Sequence, residues 1–436
     1  MNIRGSIAFF IIFSFFSCEK NQVSPEPAPV FELLVRNDFD ALNARFAVFV
    51  SDPNTGATKA FRWVPENDTI LLQVPNSTPA DNFDCTVVKI TTLDAPGTGV
   101  RDTFLTLSTY TNLGSRQSIH LQNSVFQRAS SVQFSLTGMN TLDSIVVPDA
   151  YAITKPEASN NFTGDYWCYH TGQCWIRVLV DGNPFWRFVR FNNIGGETVE
   201  ANTLDVNLML PIFAPPLTLN FPFVADWKYQ VDGIVDTAKL QFFPLSQPLR
   251  PPGTFVPFLD KVEIFEPVNN DLFNANRPYN GFRLQLRGTA SDAGGYTYLS
   301  DHFYSSMPPT LPKPGFDLAP TSLSDKRLFA VQCLGDFDLL AFTRTRNGYG
   351  IHLNISWEVL TKPRNGILDY RLPDIPAPLA DLYHPLSNYD FNDGVTARAE
   401  SYEKVLSYEV IIQHYLNAAD VLWQARAGYL GKERIL

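Results

Sequence analysis

Few residues in the chain are spaced for catalysis. Asp301 and His302 set an acid beside a base, and Asp336-Phe337-Asp338 puts two carboxylates on one face of a strand. Neighbours along a strand point to opposite faces, which argues against Asp301 and His302 as a dyad, and a lone carboxylate pair suits a solvated edge. Asp390-Phe-Asn-Asp-Gly394 lacks the third spaced ligand and the distal Glu of a calcium loop, so it reads as a turn. The histidines at 120, 170, 302, 352, 384 and 414 are scattered without ligand spacing. We find no His-Glu-x-x-His, no Gly-x-Ser-x-Gly, no phosphate-cradling Gly-Lys-Ser/Thr loop, no dinucleotide glycine fingerprint and no Cys-x-x-Cys. No metal, no cofactor and no catalytic residue is expected.

Binding chemistry is better represented. Trp167, Trp175 and Trp186 fall in one stretch with Arg177, Arg187 and Arg190. Flat exposed rings would stack on sugar faces, and the interleaved guanidinium groups would hold hydroxyls or carboxylates. The other reading of the same residues is two-sided core packing with arginines that reach past it to water. Cys168 and Cys174 flank a five-residue segment, Tyr169 to Gln173, so opposed strands there would bring the sulfurs within bonding distance. A disulfide is expected between them. The pairing of Cys85 and Cys333 depends on tertiary contacts.

The elements that must position these groups read mainly as strands. Arg45 to Val50 alternates, turns at Ser51-Asp-Pro-Asn-Thr-Gly56 and returns over Lys59 to Val64. Strands follow at 69–74, 83–92, 102–110, 117–126 and 131–137, and further ones after the aromatic stretch. Proline clusters at 211–222, 244–257 and 308–320 exclude central strands and mark loops or joints. The spacing predicts tandem immunoglobulin-like or related β-sandwich modules, at 30–123, 124–215 (aromatic-rich), 216–310 and 311–436. The run Val395 to Ala427 contains neither Gly nor Pro. Its three- and four-residue apolar steps predict a helix capped by Gly428, although alternation at Leu406, Tyr408, Val410 and Ile412 also fits a strand followed by a shorter helix.

Composition narrows the partners. The chain has 436 residues and a formal net charge of −10, with 34 Lys plus Arg, so phosphate backbones would repel it and nucleic acid is not an expected partner. With 13% aromatic and only 18% charged residues it is too apolar for disorder.

Its first residues carry a separate signal. Arg4 precedes the apolar run Ile7 to Phe16, which as a helix would rise only ~15 Å, half the hydrocarbon core. Residues 1–17 therefore read as a signal peptide. Ser17-Cys18 resembles the lipobox of bacterial lipoproteins, with Phe15 and Phe16 departing from the family pattern. That resemblance implies cleavage before Cys18 and acylation of its sulfur (palmitate among the chains), anchoring the body to a membrane. Pro25, Pro27 and Pro29 make residues 18–29 an extended tether. An acidic residue after the cysteine, Glu19, is similar to the surface-export signal of lipoproteins in glycan-degrading Gram-negative bacteria, which implies the outer membrane and a surface-exposed body, with the periplasmic face as the other placement. Three roles follow. The first is non-catalytic binding, of a glycan for example; the second is structural assembly with an envelope protein; the third is a hydrolase without a recognisable motif.

Overall fold

In a computed structural model, the protein is described over residues 30–94 except 40–42, over 101–122, over the strands between 130 and 267 with a few adjoining residues, and over 279–436 apart from 290–294, 309, 311–313, 322–324, 349–351, 365, 391–393, 406 and 418–421. Cys18 and the rest of the leader and tether lie outside the described residues.

The fold is mainly β, as the sequence predicts. Seven strands come first: β1 (Phe31–Asp38), β2 (Ala44–Ser51), β3 (Thr58–Val64), β4 (Asp68–Val74), β5 (Phe83–Asp94), β6 (Arg101–Leu113) and β7 (Gln117–Gln122). The β2–β3 turn closes as expected on Gly56, whose φ of 74° is left-handed, while Asp52 accepts the amides of Asn54 and Thr55. Nine strands, β8 to β16, lie between Ser130 and Leu217, then β17 (Ala225–Asp236) and four short ones, β18 to β21, between Gln241 and Pro267. The chain continues through β22 (Phe282–Thr289), β23 (Tyr296–Tyr304), β24 (Asp317–Pro320), β25 (Leu328–Leu334), β26 (Leu339–Arg346), β27 (Leu353–Thr361) and β28 (Gly366–Arg371). Two single-turn helices follow, α1 (Ala377–Ala380) and α2 (His384–Ser387), then β29 (Gly394–Tyr402), α3 (Tyr408–Asn417), α4 (Trp423–Ala427) and β30 (Tyr429–Ile435).

One 13-stranded sheet dominates, in the order β18-β17-β22-β23-β30-β29-β26-β27-β6-β5-β2-β3, with β19 beside β17. All its ladders are antiparallel except β27 with β6. Residues in β2 show why its middle is covered on both faces: Phe46, Val48 and Val50 enter one hydrophobic core, Ala47 and Phe49 the other. In β26, Leu339 and Ala341 divide from Leu340 and Phe342 in the same way. A strand without a polar face must be covered twice, because each large apolar side chain left wet forgoes about 1.5–3 kcal/mol. One cover is the small sheet β4-β1-β7 with α3; the other is the sheet β24-β25-β28 with α1 and α2.

Early and late segments of the chain share the central sheet of this stack. β6, from the segment expected as the first module, pairs in parallel with β27, from the segment expected as the last, and the two share both cores. The run 395–427 divides into β29, then α3 and α4; Tyr408, Val410 and Ile412, whose alternation also fits a strand, lie in α3, and Gly428 caps α4 at a φ of 72°.

Candidate functional site: a polar cleft at one end of the stack

The central sheet contributes three strand ends to one place. β5 begins there at Phe83 and Asp84, β6 reaches it at Thr111 and Asn112, and β27 leaves it at Thr361. The loop after β4 and the edge strand β28 close its sides, one from each outer layer, around a cleft of about 1120 Å³. Its lining is polar: the carboxylates of Asp52, Asp81, Asp84 and Asp369, and the amides of Asn54, Asn76, Asn82 and Asn112. Asn76 and Asn112 hold left-handed backbones, with φ of 59° and 58°, a conformation that Asn tolerates better than most residues.

Asp84 is the buried member, 2% exposed. Its carboxylate accepts the Asn112 amide at 2.8 Å and the Tyr370 hydroxyl at 3.0 Å. Burial, reinforced by the charge of Asp52, pushes its pKa up to about 6 against those two hydrogen bonds. Burial likewise raises the Tyr370 phenol, and the Asp84 charge adds to it. Asp52, more open, is held below the usual carboxylate range chiefly by the Thr55 amide. Lys59 sits 3.8 Å from Asp52, and Lys362 turns to Glu409 at 3.4 Å. At the rim Arg364, Asp369 and Ile367 are exposed. The chain enters the body beside this cleft, because the Phe31 amide donates to Ser77 Oγ at 2.9 Å and Ser77 lines it. Carboxylates that accept and amides that both donate and accept form a surface suited to a ligand rich in hydroxyls.

The side chains of Trp167, Trp175, Trp186, Arg177, Arg187 and Arg190 lie outside the described residues. Their strands lie in two different sheets. Trp167 is in β11 (Phe162–Cys168), in a sheet with β8 and β14, whereas Trp175 and Trp186 are in β12 (Gln173–Val180) and β13 (Asn183–Arg190) of another sheet. The register puts Arg177 opposite Trp186, Ile176 opposite Arg187 and Gln173 opposite Arg190. The sulfurs of Cys168 and Cys174 also lie outside the described residues, and their strands, β11 and β12, are not paired with each other. Cys85 and Cys333 are free thiols, each buried in a different core; burial pushes the first up strongly and the second to about 11.

The acid and base candidates do not assemble. Arg283 grips Asp301 through two hydrogen bonds of 2.9 and 2.6 Å. His302 is 2% exposed, held near pKa 4 mainly by burial, with Glu403 3.9 Å away. Asp336 and Asp338 correct the strand assignment: they sit in the turn before β26, where Asp338 accepts the Tyr402 amide at 2.8 Å. Gly335, at a φ of 87°, forces that turn. Asp390 is engaged by Arg346 at 2.7 Å, and 391–393 lie outside the described residues. Sequence reasoning missed the cleft because its parts are remote; Asp84 and its partner Tyr370 are 286 positions apart. The one local signal was an acidic residue placed between Phe83 and Cys85 at the head of an apolar strand.

No family model matches the chain, and none of the curated proteins compared with it is similar. Among solved structures, the tip fimbrial protein Mfa3 from Porphyromonas gingivalis, with C-terminal truncation, aligns over 38% of this chain and 83% of its own at 14% identity and a TM-score of 0.16. A superposition that loose supports no conclusion about fold or role.

Proposed function

We propose that the protein is a lipid-anchored extracytoplasmic lipoprotein that binds, without chemistry, a hydroxyl-rich ligand such as a glycan at the bacterial cell surface. The observation that carries the binding role is the polar cleft, where carboxylates and amides from both outer layers and the central sheet line one cavity. The anchor rests on Ser17-Cys18 and the apolar run before it. A glycan platform on β12 and β13 is the competing location for the same role.

The full chain in lipid vesicles tests both halves together. Wild type floats with the vesicles and binds glycans on an array, whereas Cys18→Ala binds the same glycans without floating. Equal flotation of the two forms contradicts the anchor, and an array without signal contradicts glycan binding.

A second reading, assembly with an envelope protein, has its own observation. Leu34 and Leu71 face each other across β1 and β4 on the outer surface, 44% and 41% exposed. If that pair docks a partner, Leu34→Glu abolishes co-purification and leaves glycan binding intact; unchanged co-purification removes the reading.

A further inference from the structure

We infer that Asp84 sets the ligand class of the cleft, selecting an uncharged saccharide whose hydroxyls donate to its carboxylate and turning away anionic ones. The inference rests on the binding role proposed above and adds the chemistry of the ligand.

Asp84 is almost wholly buried, yet it lines the cavity. An ionised carboxylate has about four acceptor sites, and protein donors fill two of them: the Asn112 amide on Oδ1 and the Tyr370 hydroxyl on Oδ2. Directly across the β2–β5 ladder stands Ser51, whose buried hydroxyl has no partner among the described residues. Asp84 therefore offers the cleft more acceptor capacity than the protein uses, with the Ser51 hydroxyl behind the lining. A sugar hydroxyl donating to Asp84 would use it, and a charge-assisted bond in a dry site is stronger than one at the surface.

The charge of the lining decides between saccharide classes. Four carboxylates face three cations overall, so no strong field draws in either sign. The cations are placed unevenly: Lys59 is drawn to Asp52, Lys362 to Glu409, and Arg364 stands exposed at the rim. None is paired with Asp84. A uronic acid or sulfated sugar reaching the floor would set its anion against a buried carboxylate, and like charges at close quarters are costly.

Around Asp84, Tyr370 from β28 donates to it, the charges of Asp52, Cys85 on the opposite face of its strand and Tyr408 from α3 act on it or feel it, and Asp369 and Lys59 share the cleft lining. The tyrosines and Cys85 stay neutral at physiological pH because burial raises them all. Asp84 is thus the group that titrates there, at about 6. Donated hydroxyls favour its ionised form, so affinity should climb between pH 5 and pH 8.

Calorimetry on the full chain in detergent, with maltohexaose and mannohexaose as neutral probes and hexagalacturonate as the anionic one, tests this. At pH 8 a neutral hexasaccharide should bind at least about tenfold more tightly than hexagalacturonate, and Asp84→Asn should weaken it about 10- to 100-fold while the variant still unfolds cooperatively. Equal or tighter hexagalacturonate binding overturns the inference, as does unchanged affinity in Asp84→Asn. Should that variant fail to fold, the wild-type series from pH 5 to pH 8 decides: a rise supports the inference and a flat profile overturns it. Silence from all three probes, against a glycan array that gives signal, overturns the inference alone; silence on the array as well overturns the binding role beneath it.

Discussion

At the scale of single residues, Asp84 costs the fold what it offers a ligand. Its carboxyl titrates at about 6 in the folded protein against 3.8 as the ordinary value, so the folded state holds the proton more tightly. Between those two values stability therefore falls as pH rises, by about 3 kcal/mol once the group is fully ionised. Asp84→Asn removes that penalty. Chemical denaturation should show the variant gaining on wild type by about 2–3 kcal/mol between pH 4 and pH 8. A difference that is the same at both pH values would show that Asp84 does not pay a burial cost. Glu400 shows a buried charge compensated in place. Glu400, fully buried, receives Arg398 at 2.6 Å and the hydroxyls of Tyr402 and Tyr415, and Arg398 also reaches Glu358 at 3.0 Å. Nothing in the spacing of these residues distinguishes a compensated carboxylate from one facing a cavity, which is why Asp84 was not legible as a site.

At the scale of elements, strands set off by turn residues were readable early and late, β22, β23, β25, β26 and β27 among them, whereas the C-terminal run was not, for a physical reason. β4 alternates cleanly, and β2, β3 and β4 are punctuated by Pro53, Gly56 and the polar stretch before Asp68, so turn chemistry marks them. In 395–427 two periods coexist, because β29 alternates Ala397 and Ala399 against Arg398 and Glu400 while α3 buries Tyr408, Ile411, Ile412 and Leu416. The final strand, β30, was hidden by its charges. Lys432 is buried between β23 and β29, matched by Asp317 at 2.9 Å and the Tyr296 ring at 3.8 Å. The parallel joint between β6 and β27 carries its own signature: Trp357 donates its indole N–H to Thr109 at 2.9 Å, and Thr109 meets Thr86 at 2.8 Å in the core. Thr109→Val keeps the shape and strips one hydrogen bond from each neighbour. Its unfolding free energy should drop by about 2 kcal/mol, against under about 1 kcal/mol for Thr109→Ser. Equal losses would mean that packing alone holds the joint.

At the scale of the whole molecule, the stack explains why a chain read as consecutive modules builds a site from its two ends. The segment through Asn112 and the segment from Thr361 meet only because β6 and β27 are neighbours, and the cleft opens where the three layers part. Two of the module boundaries, near 215 and 310, fall in proline clusters, and proline reports where a strand cannot be central; it carries no information about which distant strands pair. The same arrangement sets the entry of the chain at Phe31 next to the cleft, so on the anchored reading the site lies at the tethered end of the body. The central claim, that ligand sits between the layers, is tested most directly by hydrogen exchange on the full chain with and without a saturating glycan. The account predicts slowed exchange at 75–84, around Asn112 and along β28. Protection confined to β11, β12 and β13, with the cleft unchanged, would contradict it.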